Sequence, residues 1–327
     1  MSGFDLLTPE LVLQAVTQAW GFSLESSLSP FPSYINRVYG LRDDDGREYV
    51  TKFYRPGRWS YEAILEEHRF LEDCREAELP VVVPVPDEEG FTLQDVIAVD
   101  DEGNEGEYLF ALFPKRGGRN FDAEGEEEWL RLGRLLGRLH QVAGEREAEH
   151  RLVQHPQETT MSHIRELSDL VHPDLRVEFE DFCLEAVERI SPAFEGLDYH
   201  RIHGDCHRGN ILDRPGEGLL LIDFDDMAVG PAVQDLWLLL PGRRDECSRE
   251  LNLLVEGYEE FLSFPRRSLD LIEALRFMRI LHYSAWCARQ RKDAGFFKHF
   301  PGWGSKAYWT KELEDLKDQV RLGLSAV

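Results

Sequence analysis

The sequence predicts an α+β chain in two parts: a small, mostly antiparallel sheet with one inserted helix, then a larger, mostly helical region. Three observations carry this. The first third holds short strand-like runs, two of them joined by a hairpin signal, and the apolar spacing becomes helical after Gly117-Gly118. One β-rich island, at about Tyr199–Asp223, interrupts the helices. The expected division is residues 1–114 and 115–327, with a hinge near Pro114–Arg119.

In order, Thr8 reads as the N-cap of a short helix ending at Trp20, with Pro9 in its first turn and Leu11, Val12, Ala15, Val16 and Ala19 as its apolar stripe. Strands are expected at Ser23–Pro30, Asn36–Arg42 and Arg47–Tyr54. Asp43-Asp44-Asp45-Gly46 turns between the last two, because Asp and Gly tolerate positive φ. A helix follows over Ser60–Cys74, and then Val81–Pro86 as an extended edge, since proline cannot donate to a central ladder. Strands at Leu93–Val99 and Tyr108–Phe113 flank an acidic loop, Asp100–Glu107. Helices are expected at Glu124–Val142, Asp174–Ile190, Val233–Leu240, Arg249–Leu262, Leu269–Arg291 and Tyr308–Leu322, with Ala143–Thr160 as a polar loop.

Composition narrows the function. The 327 residues include 62 Asp+Glu against 37 Lys+Arg, a formal charge of −25 that argues against a dedicated nucleic-acid or anionic-membrane binder, since both partners are polyanions. No apolar run reaches the ~18 residues of a membrane span, and the N-terminus lacks a basic start and apolar stretch. The five cysteines are scattered with no Cys-x-x-Cys pair, so neither a zinc knuckle nor a disulfide framework is expected, and a reducing cytoplasm is. A monomer is expected.

The stretch that carries chemistry is Ile202-His203-Gly204-Asp205-Cys206-His207-Arg208-Gly209-Asn210-Ile211-Leu212, followed by Leu221-Ile222-Asp223-Phe224-Asp225-Asp226. Phosphoryl transfer from ATP needs a carboxylate to receive the nucleophile's proton and oxygen ligands that hold Mg²⁺ on the phosphates. Asp205 suits the first task; Asn210 and Asp223 suit the second. His203 is expected to brace the loop, and His207 to contact phosphate or substrate, or to pack. Cys206 is read as a packing residue.

These residues resemble the catalytic and metal segments of the aminoglycoside phosphotransferase-like branch of the protein-kinase fold. Four further segments are similar to the stress response kinase A family: Ser33–Tyr39, Lys52–Pro56, Ile64–His68 and Gly230–Trp237. They run in the same order, and the resemblance covers nearly the whole chain. It implies a bilobal kinase-like fold, with ATP and Mg²⁺ as cofactors and Asp205 as proton acceptor. Asn210 and Asp223 become metal ligands, Lys52 grips the α/β-phosphates, and the backbone of Phe113–Lys115 meets adenine.

The carboxylate partner of Lys52 should lie on the Ser60–Cys74 helix. Glu67 is favoured, because Phe70, Leu71 and Cys74 follow it in one apolar register, while Glu66 stays open. The phosphate-covering loop departs from the Gly-rich kinase pattern, for Pro30–Tyr39 contains no glycine; the resemblance supports a nucleotide contact at Ser33. Asp225 and Asp226 stand beside the metal, either for a second Mg²⁺ or for loop hydrogen bonds. Asp235 is expected to anchor the catalytic segment.

The resemblance implies Ser/Thr protein substrates and a role in stress response. A small-molecule kinase (aminoglycoside, homoserine, choline or sugar) is the first alternative. Its acceptor site would lie in the helices after Leu240, where a run of arginines including Arg243, Arg276 and Arg279 argues mildly against an aminoglycoside pocket. A non-catalytic nucleotide-binding scaffold is the second. The acidity is uneven: Asp87–Glu107 holds nine acidic and no basic residues, whereas Arg37, Lys52, Arg55 and Arg58 accompany the nucleotide-binding strands, and Arg201 and Arg208 flank the catalytic loop.

Overall fold

Thr8 Oγ1 accepts the Leu11 N–H and starts helix α1 (Pro9–Trp20), which Gly21 ends in a left-handed conformation. Val12, Ala15, Val16 and Trp20 form its buried face. The computed structural model describes residues 3–323. The chain divides into two compact units, Met1–Phe121 with Gly209–Asp225, and Asp122–Arg208 with Asp226–Val327.

The first unit is built on a five-stranded antiparallel sheet in the order β1-β2-β3-β5-β4, from β1 (Ser29–Pro30), β2 (Arg37–Arg42), β3 (Glu48–Phe53), β4 (Gln94–Val99) and β5 (Glu105–Pro114). The β2–β3 hairpin turns at 43–46 as the sequence indicates: Gly46 has φ +79° and Asp43 Oδ1 accepts the Arg47 N–H. Opposed in the β3–β5 register, Phe53 and Phe110 stack with ring centroids 4.7 Å apart, in a core that also takes Val16, Trp20, Leu41 and Leu112. Helix α2 (Tyr61–Glu76) begins at Ser60, whose Oγ accepts the Ala63 N–H, and buries Ile64, Glu67, Phe70 and Cys74.

Three elements depart from expectation here. Residues 23–28 form no strand, only an isolated antiparallel bridge from Leu24 to Asp43, so the first strand shrinks to Ser29–Pro30. The Val81–Pro86 run forms no strand; it is tied by a single parallel bridge, Val81 to Leu221, and by the Val85 N–H on Leu112 O. The third is the boundary. A second sheet in the order β6-β8-β9, from β6 (Arg119–Asn120), β8 (Ile211–Arg214) and β9 (Gly218–Leu221), belongs to the first unit. A cut at 114/115 severs β6 from the sheet unit and assigns 209–225 to the helices. Main-chain pairing, including Leu221 N–H to Pro80 O, overrides that chain order.

The second unit is helical apart from β7 (His200–Ile202) and β10 (Ala228–Gly230), which pair antiparallel. Its helices are α3 (Glu126–Ala143), α4 (Met161–Ser168), α5 (Arg176–Ile190), α6 (Val233–Trp237), α7 (Ser248–Glu259), α8 (Ile272–Gln290), α9 (Phe296–His299) and α10 (Lys306–Gly323). α3 and α7 approach closely through Gly133, Gly137 and Gly257; a Cβ on Gly257 would lie 2.2 Å from Leu130 O. The expected loop at 143–160 ends in a π-helical turn, Pro156–Thr160, which runs straight into α4. α4 departs from expectation: its apolar stripe (Ile164, Leu167) is short and no side chain caps it, so little in the sequence marks a helix there. All five cysteines are buried free thiols. No helix among the described residues is long and apolar enough to cross a membrane.

Candidate functional site

In the first unit, β3 delivers Lys52 and α2 delivers Glu67, and the two meet with Nζ and Oε1 3.7 Å apart. Of the adjacent Glu66 and Glu67 on α2, Glu67 is therefore the one that pairs with the lysine. Lys52 also lies 3.0 Å from Asp225 Oδ1 and 3.4 Å from Asp223 Oδ1. Burial by itself would lower the lysine's pKa, but Asp225, Glu67 and Asp223 together hold it well above its ordinary value. Lys52 is thus a fixed cation among three carboxylates. Arg58, from the loop between β3 and α2, is ion-paired with Asp225 as well.

The β8–β9 hairpin sets the distance between the remaining two residues. Its register pairs Ile211 with Leu221, so Asn210 falls opposite Ile222, and Asn210 O accepts the Ile222 N–H at 3.0 Å. Asp223, one residue further, has φ +62°, a left-handed backbone state that Asp tolerates better than most side chains. Its side chain is 57 % exposed, whereas Asn210 is buried. A carboxylate and an amide oxygen at one hairpin end suit Mg²⁺, which takes few protein oxygens and completes its shell with water and phosphate. Among the described residues no three His, Cys, Asp or Glu side chains form a metal-ligating group, so these donors fit a metal that arrives with a phosphate ligand and not an all-protein cage.

Ser33 lies in the turn before β2, where its Oγ accepts the Asn36 N–H at 3.4 Å. Asn36 Oδ1 in turn accepts the Arg55 N–H, so the glycine-free loop is stiffened by side-chain hydrogen bonds.

The second unit holds Asp205. Its loop is shaped by Asp235, a fully buried carboxylate at the start of α6 that accepts the His203 N–H at 2.7 Å and the Gly204 N–H at 2.9 Å. His140 Nε2 lies 3.1 Å from the same carboxylate. Burial would raise the Asp235 pKa, but His140 and the His203 N–H outweigh it and keep the group ionised. Gly204 has φ +81°, and a Cβ there would lie 2.0 Å from Asp226 O, so the loop excludes any other residue. The buried His203 ring accepts the Asp205 N–H at 3.4 Å, the bracing role expected for it.

Asp205 itself is partnered. Arg279 Nη2, on α8, donates to Oδ1 at 2.7 Å, and His207 Nε2 lies 3.5 Å from Oδ2. Burial would raise this carboxyl, but His207 and Arg279 overcome it and bring its pKa down to about 2. Cys206 is buried, and burial pushes its thiol well above the ordinary range, so it supplies no thiolate at neutral pH. Arg208 is engaged with Asp122 and Leu239 O and lies over the Trp129 ring.

Sequence reasoning missed three of these partners. His140 and Arg279 lie far from the loop in sequence and carry no motif of their own, and Asp225 proves the shortest ion-pair partner of Lys52. Most arginines after Leu240 are spent on nearby acids, as in Arg244–Asp270, Arg266–Glu259 and Arg289–Glu166. Arg279 differs by pairing with Asp205.

Residues 27–277 match the phosphotransferase enzyme family (APH). Stress response kinase A of Escherichia coli (strain K12) is 36 % identical, with 98 % of this chain and 94 % of that protein covered. Serine/threonine protein kinase RdoA of Salmonella typhimurium (strain LT2) is 38 % identical at the same coverage. Among solved structures, an amicoumacin kinase in complex with AMP-PNP and Ca²⁺ superposes with a TM-score of 0.72, at 18 % identity, over 94 % of this chain and 93 % of that one. At that identity the likeness speaks for the fold, an α+β kinase-like one. The chain belongs to the phosphotransferase enzyme family and, within it, to the stress response kinase A family.

Proposed function

We propose that the protein transfers the γ-phosphoryl group of ATP, with Mg²⁺, to a serine or threonine hydroxyl of a protein in a bacterial stress response. Lys52, held by Glu67, positions the phosphates, and Asn210 and Asp223 supply the metal's protein oxygens. Bound there, Mg²⁺ neutralises charge on the phosphates. Ser33 and the backbone of Phe113–Lys115 contact the nucleotide. The acceptor oxygen forms a bond to the γ-phosphorus as the bond to the bridging oxygen breaks. ADP leaves, and the hydroxyl proton passes to Asp205.

The observation that carries phosphoryl transfer is the Lys52–Glu67 pair gathered with Asp223 in one unit. A protein acceptor is supported by the likeness, over nearly the whole chain, to a relative named serine/threonine protein kinase. The test is transfer from γ-labelled ATP with Mg²⁺ to a protein extract by wild type and Asp205→Ala. Label in serine and threonine that disappears in the variant is expected. Turnover of a metabolite with no protein labelling would overturn it.

A further inference from the structure

A hydroxyl that gives its proton to Asp205 has to come within about 2.6–3.2 Å of a carboxylate oxygen. Arg279 already donates to Oδ1 at 2.7 Å, so an acceptor hydroxyl on that oxygen has to share it with the arginine. The arginine is not locked in place: its side chain is 34 % exposed, and a guanidinium has donors to spare.

The two flanks of Arg279 differ in charge. One borders a small cavity lined by Gln154, Thr160, His163, Gln234 and His282, with no carboxylate in its wall. His163 is almost wholly buried there, and its Nδ1 has no hydrogen-bond partner. Burial holds that ring neutral, with its pKa brought down to about 3. A buried nitrogen left unpaired is costly, and such groups are commonly satisfied by a ligand or water. On the other flank Glu312, Asp315 and Asp318 line an open groove that repels anions.

We propose that Arg279 is a specificity-determining residue that takes an anionic group of the acceptor, a carboxylate or a phosphate next to the reacting hydroxyl, on the side of the His163 cavity. The anion draws the guanidinium from Asp205 and frees Oδ1 for the hydroxyl, so acceptor binding and release of the base are one event. The cavity itself has room for no more than about one water, so the anion meets Arg279 at its mouth. A guanidinium spans only the neighbouring residue, so the anion belongs to a position flanking the phosphorylated serine or threonine. This inference rests on the protein-kinase reading and on Asp205 as proton acceptor.

The test is a set of serine peptides identical except at one flanking position, which carries Glu, phosphoserine, Gln or Lys. Each is assayed for kcat/KM with wild type, Arg279→Gln and Arg279→Glu. Wild type is expected to favour an anionic flank about tenfold over Gln, the scale of one charge-assisted hydrogen bond. Glu against phosphoserine tells which source of the anion is preferred. Arg279→Gln should bring the Glu and Gln peptides to within about twofold, and Arg279→Glu should turn the preference toward Lys. A kcat loss equal on all four peptides, with the wild-type preference intact, would reduce Arg279 to holding Asp205 in place and overturn the inference. Should wild type label no peptide but phosphorylate small alcohols, the protein-substrate reading fails. The same comparison on a hydroxy acid and its amide then decides the role of Arg279.

Discussion

Gly204 donates its N–H to Asp235 Oδ1 at 2.9 Å, across thirty-one residues of chain. Because Oδ2 takes the His203 N–H, one buried carboxylate fixes two successive peptide groups just before Asp205. Asp235→Ala leaves two buried donors and His140 without their acceptor. Removing one partner of a buried charged network costs about 3 kcal/mol. Urea unfolding should show a loss of that size, and kcat should fall while nucleotide affinity is kept, since Asp235 and Lys52 belong to different units. Unchanged stability would mean the carboxylate does not hold the loop.

Glu67 and Glu66 are adjacent on α2, both buried, yet Glu67 is the one 3.7 Å from Lys52. Glu67→Gln should lower kcat/KM for ATP about tenfold or more, through a lysine left to Asp223 and Asp225. Glu66→Gln should stay within about twofold. Equal losses from the two variants would contradict the pairing.

Acid should weaken the fold from near neutrality. Burial lowers His163 to about 3 and His200 to about 4, below the ~6.5 of an unfolded histidine. Below about pH 6.5 the unfolded chain binds protons that the folded chain refuses, so stability falls as pH drops toward those values. Between pH 7 and 5.5 the two rings together account for a loss of about 2 kcal/mol. Denaturant midpoints across that range check it, and His163→Gln should flatten about half of the slope.

Asp205 works in the opposite region. Its pKa of about 2 lies below the unfolded value, so its stabilising contribution is present above about pH 4 and lost as pH falls from there toward 2. It therefore sets no acid limb in kcat/KM between pH 5 and 8. Arg279→Met removes a cation that lowers this carboxyl, so the acid limb should move to higher pH. A limb that stays in place would remove Arg279 as a determinant of the ionisation of Asp205.

Local chemistry was legible in the sequence; long-range partnership was not. Thr8, Ser60 and the Asp43–Gly46 turn announce their elements because capping and turn geometry depend on residues within four positions. Asp205, Asn210 and Asp223 stand out because one short segment brings together the proposed base, the proposed metal donors and the glycines that shape the loop. Arg279 is seventy-four residues from Asp205 and is one arginine among many on helices. Periodicity cannot tell which of them turns inward to a carboxylate. The unit boundary was hidden for the same reason: β8 and β9 follow a helical stretch in the chain but pair with β6 and with Pro80. Backbone pairing across such separations leaves no trace in composition.

The central claim is tested most directly by single-turnover transfer from ATP and Mg²⁺ to a serine-containing protein acceptor, with wild type and Asp205→Asn, alongside nucleotide affinity for both. The wild-type enzyme should transfer, and Asp205→Asn should be slower by about 10²–10⁴-fold, the worth of a positioned base, with ATP affinity within about twofold. Transfer by Asp205→Asn at the wild-type rate would contradict the assignment of the base. Wild-type enzyme that binds ATP yet transfers to no acceptor would contradict the kinase itself.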